Sequence, residues 1–320
     1  MEVDQFMKFS KVLLIIIIVS IIMLNSGCAG NNEKQDPDDN KIKIYTTLYV
    51  LSEFSQKIGG SQVEVVNLVP PGVSPHDFEP TAKDIIALTK ADIFLYNGAG
   101  MEGWVEKVLD NLKSSEVLSI DASNKIELRE NDEEHDHDEE SHDEESNIDA
   151  HVWLNPLNAL KQAEEIKNAL IQMDSENKTF YEENYQELKN KLTDLDKLYA
   201  SELKNTNRKD FFMSHAAFGY LAEQYGLTQN SISGVIPADE PSPAEMVGLI
   251  KKAKELNIKY ILIDPRDVVK ISEVLADEIG AETIPINTVA SLTKEELAEG
   301  LDYFKIMEDN LINLKKVLNE

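Results

Sequence analysis

The sequence predicts an α/β fold made of two similar parallel-sheet lobes joined by one long rigid helix. Three observations carry this. Short apolar runs alternate with helical patterns from Ile42 to Tyr96, the signature of a parallel sheet with crossover helices. A second alternating set begins past residue 208. Between the two, apolar side chains recur at Tyr181, Tyr185, Leu188, Leu192, Leu195 and Leu198 or Tyr199, a 4-3-4-3 spacing that marks one face of a helix.

Residues 1–27 read as a processing segment: Lys8 and Lys11 precede a stretch from Val12 to Leu24 that is apolar except for Ser20, followed by Ser26 and Gly27. The stretch is short for a membrane span. Cys28 follows directly and is the only cysteine, so no disulfide can form within one molecule. Leu24-Asn25-Ser26-Gly27-Cys28 resembles the bacterial lipoprotein signal, whose Cys becomes the lipidated first residue of the mature chain. Asn25 departs from it, standing where that signal prefers Leu. Met7-Lys8-Phe9-Ser10-Lys11 has the basic start such a signal needs, whereas Glu2 and Asp4 ahead of it are acidic, so translation is expected to begin at Met7. Residues 28–41 are polar and form a tether that cannot bury enough surface to order itself.

The first lobe is expected over 42–174, with strand Ile42 to Thr47, a helix from Tyr49 to Ile58 stopped by Gly59-Gly60, strand Val63 to Val69, a helix from Thr81 to Lys90 and strand Ile93 to Tyr96. The linking helix occupies 175–205, about 45 Å at 1.5 Å per residue, with Asp174 or Ser175 as cap. Its stripe suits packing along both lobes, and a monomer, better than a coiled-coil dimer, because the repeat is short. The second lobe, 206–320, holds strand Asp210 to Met213, helix Ala216 to Tyr225, strand Ser231 to Ile236, a helix capped by Ser242 with Pro243 in its first position, strand Lys259 to Ile263, helix Val269 to Ile279, strand Thr283 to Ile286 and a terminal helix from Thr293.

Composition narrows the partners. Asp and Glu number 59 against 31 Lys and Arg, a net charge of −28, which disfavours nucleic acid and anionic membrane surfaces and suits a cationic ligand. The membrane is reached only through the lipid. Residues 130–147 concentrate the acid: positions 130 to 145 contain eleven Asp or Glu, no Lys or Arg, and His135, His137 and His142. Such a run repels itself into a solvated loop and makes a weak, fluid trap for divalent cations.

The remaining histidines each fall in a loop beside a strand, where sites of α/β lobes are built. His76 lies in Pro75-His76-Asp77-Phe78-Glu79-Pro80, His151 in Asp149-Ala150-His151-Val152-Trp153-Leu154-Asn155-Pro156, and His215 in Ser214-His215-Ala216-Ala217-Phe218-Gly219-Tyr220. With Glu240-Pro241-Ser242-Pro243, these motifs resemble the metal-specific solute-binding proteins of bacterial ABC importers, in particular their zinc branch, from about Ile42 to the C-terminus. The resemblance implies a metal in the cleft between the lobes, His76, His151 and His215 as its ligands, Zn²⁺ as transported substrate, an ABC permease as partner and a place outside the cell.

Three neutral imidazoles suit tetrahedral Zn²⁺, whereas a manganese site would favour carboxylates. Relatives often place a carboxylate where this chain has Ala290, so water is expected to complete the shell. Asp264 is a possible fourth ligand, or else supports the site from an ion pair with Arg266. Asp77 and Asp149 are candidates to orient the imidazoles. Trp153 is expected to pack beneath its loop and carry no chemistry. An importer protein for manganese or another divalent metal, with an adhesin role, is the alternative; a zinc hydrolase is a further class, but the chain has no His-Glu-x-x-His segment and no assignable general acid or base. No enzymatic activity is expected.

Cys28→Ala is predicted to release the protein from the membrane, or leave it unprocessed, with metal affinity unchanged. Cell fractionation checks this: retention by the cells at the wild-type level would place the anchor elsewhere.

Overall fold

In the computed structural model, the residues described are 41–130, 148–238, 240–267 and 269–320. The expected signal segment, Cys28, nearly all of the tether and the acidic stretch 131–147 with its three histidines lie outside them.

The first lobe begins with β1 (Ile42–Thr46), α1 (Tyr49–Gly59), β2 (Val63–Asn67), α2 (Ala82–Leu88), β3 (Ile93–Tyr96), α3 (Val105–Leu112) and β4 (Leu118–Asp121). All pairings are parallel, in the order β2-β1-β3-β4. Helix α1 buries Val50, Leu51, Phe54 and Ile58 along one face and ends at Gly60, whose φ of 55° favours glycine. A capping box between Thr81 and Asp84 starts α2. Helix α4 (Pro156–Met173) then crosses the lobe, capped by Asn155 and opened by Pro156. The sequence reading did not resolve α3, β4 or α4.

The linking helix, α5, spans Lys178–Leu203 after a 3₁₀ turn at Ser175–Asn177, with the Asp174 carboxylate accepting from the Asn177 N–H. At 1.5 Å per residue it is about 39 Å long. Its stripe of Tyr181, Tyr185, Leu188, Leu192, Leu195, Tyr199 and Leu203 is buried within a hydrophobic cluster that also holds Phe54 and Trp153 of the first lobe and Phe211, Phe218 and Leu314 of the second. The chain's own two lobes therefore cover the stripe.

The second lobe repeats the topology with β5 (Asp210–His215), α6 (Gly219–Gln224), β6 (Thr228–Ser233), α7 (Pro243–Glu255), β7 (Tyr260–Ile263), α8 (Val269–Ile279), β8 (Glu282–Pro285), α9 (Lys294–Ala298) and α10 (Tyr303–Asn319). Its strands run parallel in the order β6-β5-β7-β8. Three expectations shift. The helix expected from Ala216 begins at Gly219, because the preceding strand runs on to His215. The strand expected at 231–236 is Thr228–Ser233, because pairing of Asp210 with Thr228 sets the register and the chain leaves the sheet at Gly234. The single terminal helix is two: Gly300, at φ 73°, ends the first and Asp302 caps the second.

Hydrogen bonds across the lobes fix their seating. The Tyr49 N–H donates to the Ala290 carbonyl at 2.9 Å and the Gly72 N–H to the Leu292 carbonyl at 2.9 Å. Trp153, expected only to pack beneath its loop, also donates its indole N–H to the Thr288 carbonyl at 2.7 Å, while the Tyr303 hydroxyl donates to the Trp153 carbonyl at 2.8 Å. Trp153→Phe keeps most of the ring volume but strands a buried carbonyl, which costs about 1–3 kcal/mol. Denaturant unfolding is predicted to show that loss, and a midpoint unchanged from wild type would show that the bond adds nothing.

Candidate metal centre

In each lobe the strand order reverses beside its first strand, and ligands of open α/β sheets collect at the carboxyl ends of strands flanking such a point. His215 is the last residue of β5, at that position in the second lobe. In the first lobe the corresponding end of β3 leads to Asn97, whose side-chain amide donates to the Ala150 carbonyl at 2.9 Å, one residue before His151. The Asn97 and Gly98 N–H groups donate in turn to the buried Glu102 carboxylate at 2.8 and 3.1 Å, whose burial pushes it up to about 7. A 3₁₀ turn at Val152–Leu154 then carries His151 toward the cleft. His76 sits in the proline-stiffened connection from β2 to α2, pinned where the Gly72 N–H also reaches the Ser291 hydroxyl at 3.2 Å.

The three rings converge. His76 Nε2 and His151 Nε2 are 3.2 Å apart, close to the roughly 3.3–3.4 Å between two nitrogens each about 2.0–2.1 Å from one tetrahedral ion. Ring centroids lie 5.2 Å apart for His76 and His151, 5.2 Å for His151 and His215, and 6.3 Å for His76 and His215. Each ring offers a nitrogen within 4.8 Å of the others, making a group able to hold a metal ion. The enclosed space is about 20 Å³, lined also by Ser74, Asp264 and Thr288, room for about one water-sized species. Burial, then repulsion from the neighbouring imidazoles, holds His76 well below the usual imidazole range, and burial and His215 do the same to His151.

Carboxylates set the orientation of two of the rings. Asp149 Oδ1 accepts from the His151 N–H and lies 3.0 Å from His151 Nδ1; burial pushes the Asp149 carboxyl up to about 7. Asp267 Oδ2 is 2.5 Å from His215 Nδ1 and accepts from the Ser214 hydroxyl. An Nδ1–H donated to a carboxylate leaves the Nε2 lone pair for a metal. Of the two residues expected in this role, Asp149 takes it, whereas Asp77 is exposed and makes no such contact among the described residues. Asp267 escaped the sequence reading because it stands 52 residues from its partner.

Asp264 lines the cavity, but its carboxylate is fully engaged: Oδ1 accepts from the Arg266 backbone N–H and Nε at 3.0 and 2.9 Å, and Oδ2 from Arg266 Nη2 at 3.1 Å and the Thr288 N–H and hydroxyl at 2.9 Å each. Burial alone would raise its pKa; the Arg266 charge and these bonds outweigh that and hold it below the ordinary range. Of the two places the sequence allowed it, this is the ion pair. Beside it Val289 adopts a φ of 58°, strained for a β-branched residue, with its N–H bound to Asn287 Oδ1 at 2.8 Å. The adjoining Ala290 brings no side-chain oxygen to the cavity.

Comparison with known proteins gives the family. The family described as "ZnuA: Zinc-uptake complex component A periplasmic" matches residues 44–317. The high-affinity zinc uptake system protein ZnuA of Bacillus subtilis is 41% identical over 306 residues, covering 94% of this chain and 96% of that protein. The chain belongs to the ZnuA family. The zinc-binding lipoprotein AdcA of Streptococcus pneumoniae is 36% identical over 93% of the chain, which spans 61% of that longer relative. The Zn(II)-bound ZnuA-like domain of Streptococcus pneumoniae AdcA has a similar structure, with a TM-score of 0.75 and 35% identity over 88% of this chain and 100% of that one.

In this ZnuA family member the depressed basicity of His76 and His151 has a definite sign. A metal competes with protons for each imidazole, so rings held well below the ordinary value of about 6.5 stay open to metal at lower pH than free histidine. Zinc affinity is predicted to stay flat from pH 8 to about 6.5 and to fall below that. Chelator competition across this range checks it; a decline setting in near pH 7.5 would contradict it.

Proposed function

We propose that this chain is an extracytoplasmic, lipid-anchored protein that binds zinc with high affinity and hands it to the permease of an ABC importer. His76, His151 and His215 are the ligands, a water completes the shell, and Cys28 carries the lipid. The observation that supports this most is the convergence of three imidazoles in a cavity sized for one ion. Family membership and the zinc-named relatives support the substrate and the transport role. Among the described residues no helix is long and apolar enough to cross a membrane; in this reading the protein reaches the membrane through the lipid on Cys28.

The ligand set explains selectivity. Zn²⁺ stands above Mn²⁺ in the affinity order for such sites, and three imidazoles widen the gap because Mn²⁺ gains more from carboxylate. The three ligand loops also belong to different lobes: those of His76 and His151 to the first and that of His215 to the second. Bound metal therefore favours the closed seating by its greater affinity for it, and the permease reads the lobes' relative position. A continuous linking helix restricts that motion to small rotations.

Protein offered equimolar Zn²⁺ and Mn²⁺, desalted and analysed for metal, is predicted to carry zinc at about one equivalent. His76→Ala, His151→Ala and His215→Ala are each predicted to lose the tight site, His137→Ala and deletion of residues 131 to 146 to retain it, and His215→Glu to weaken zinc and narrow the zinc-to-manganese ratio. Wild-type protein loaded mainly with manganese would overturn the zinc assignment while leaving the importer reading in place.

A further inference from the structure

The carboxylate that orients His151 has a second oxygen. Asp149 is fully buried, and while Oδ1 serves His151, Oδ2 makes no hydrogen bond among the described residues. The guanidinium facing it belongs to Arg129, whose Nη1 lies 3.8 Å away and is itself buried with no hydrogen bond among the described residues. The attraction between the two is little screened in this buried setting and offsets part of the desolvation that pushes the Asp149 carboxyl up. The gap admits a direct bond after a small adjustment.

The surroundings hold Arg129 in place from several sides. Its backbone N–H donates to the Tyr220 hydroxyl at 2.9 Å and its carbonyl accepts from the Asp149 N–H at 2.9 Å. Nε lies 3.6 Å from Glu223 Oε2, so the side chain spans from the His151 loop of the first lobe to α6 of the second. The neighbouring position explains why residue 219 has no side chain: a Cβ there would stand 2.4 Å from Arg129 Nη1 and 2.4 Å from Asp149 Oδ2, which forces the pair apart. Arg129 also stands at the foot of the acidic stretch, where Glu130 bridges Ile148.

We propose that Arg129 is a positioning residue for the metal site, holding Asp149 in the geometry that orients His151 while touching the second lobe through Glu223 and Tyr220, and that Gly219 is glycine to leave room for this pair. The inference rests on His151 being a ligand. Loss of groups that orient a ligand costs about 10–100-fold in metal affinity, and Arg129, one layer further out, belongs at the lower end.

A double-mutant cycle tests it, with zinc affinity from chelator competition and the visible absorption of bound Co²⁺ as a direct report of coordination geometry. Arg129→Gln is expected to weaken zinc about tenfold and shift the Co²⁺ bands, and to add nothing further in an Asp149→Asn background, since both act through one carboxylate. Arg129→Lys is expected to recover part of the loss. Arg129→Met, which keeps the aliphatic stem, takes the place of Arg129→Gln should that variant not fold. Unchanged affinity and Co²⁺ spectrum, or equal losses in both backgrounds, overturn the proposal. His151→Ala run in parallel separates the two failures: if it retains tight zinc, the ligand assignment falls and this inference with it, whereas if it loses zinc while Arg129→Gln behaves as wild type, only the role of Arg129 falls.

Discussion

Three imidazoles packed side by side, two of them buried and His76 partly so, repel one another when protonated, and when neutral their lone pairs need a cation to satisfy them. The rest of the structure follows from meeting that constraint at the junction of two lobes. Two rings are aimed by carboxylates, one of them Asp149, two residues before its histidine, and the other Asp267, brought in from the loop after β7. Asp264, which also lines the cavity, is occupied by Arg266 and Thr288, so its charge is neutralised within the second lobe. The donor set is thereby made of nitrogen, which suits a borderline ion such as Zn²⁺.

Rings from separate lobes can converge only if the lobes are seated with precision, and the packing supplies it. Helix α5 buries one stripe against both lobes in a single continuous core. Bonds near the site add direction: Trp153, two residues past His151, reaches the Thr288 carbonyl, and Gly72, four residues before His76, reaches Leu292. Backbone strain at Val289 occurs in the same second-lobe segment that receives these bonds. A few kcal/mol stored there is affordable because the segment is held from both sides.

Much of this was legible in the sequence. Alternating apolar runs revealed the paired lobes, and the 4-3-4-3 stripe revealed the linking helix because one buried face repeats at the helical period. The three histidines stood out because each was expected in a loop beside a strand, although the strand expected to end at Met213 runs on to include His215. What the sequence did not reveal depends on long-range geometry. Helix α4 carries many small and polar residues, including Ala159, Gln162 and Ala163, on its buried side, which blurs its apolar pattern. Asp267 and Arg129 carry no local signal at all: one meets His215 and the other meets Asp149 only after the chain has folded. Trp153 was legible as a buried ring but not as a donor across the lobes, since a sequence shows the indole N–H and not what it reaches.

The central claim is that one zinc ion is held by three imidazoles and an oxygen. X-ray absorption at the zinc K edge, on protein carrying one equivalent of zinc, tests it most directly. The account predicts multiple-scattering features of three imidazoles, with nitrogen and oxygen scatterers at about 2.0–2.1 Å. A shell with fewer than three imidazoles, or one dominated by carboxylate oxygen, would contradict it.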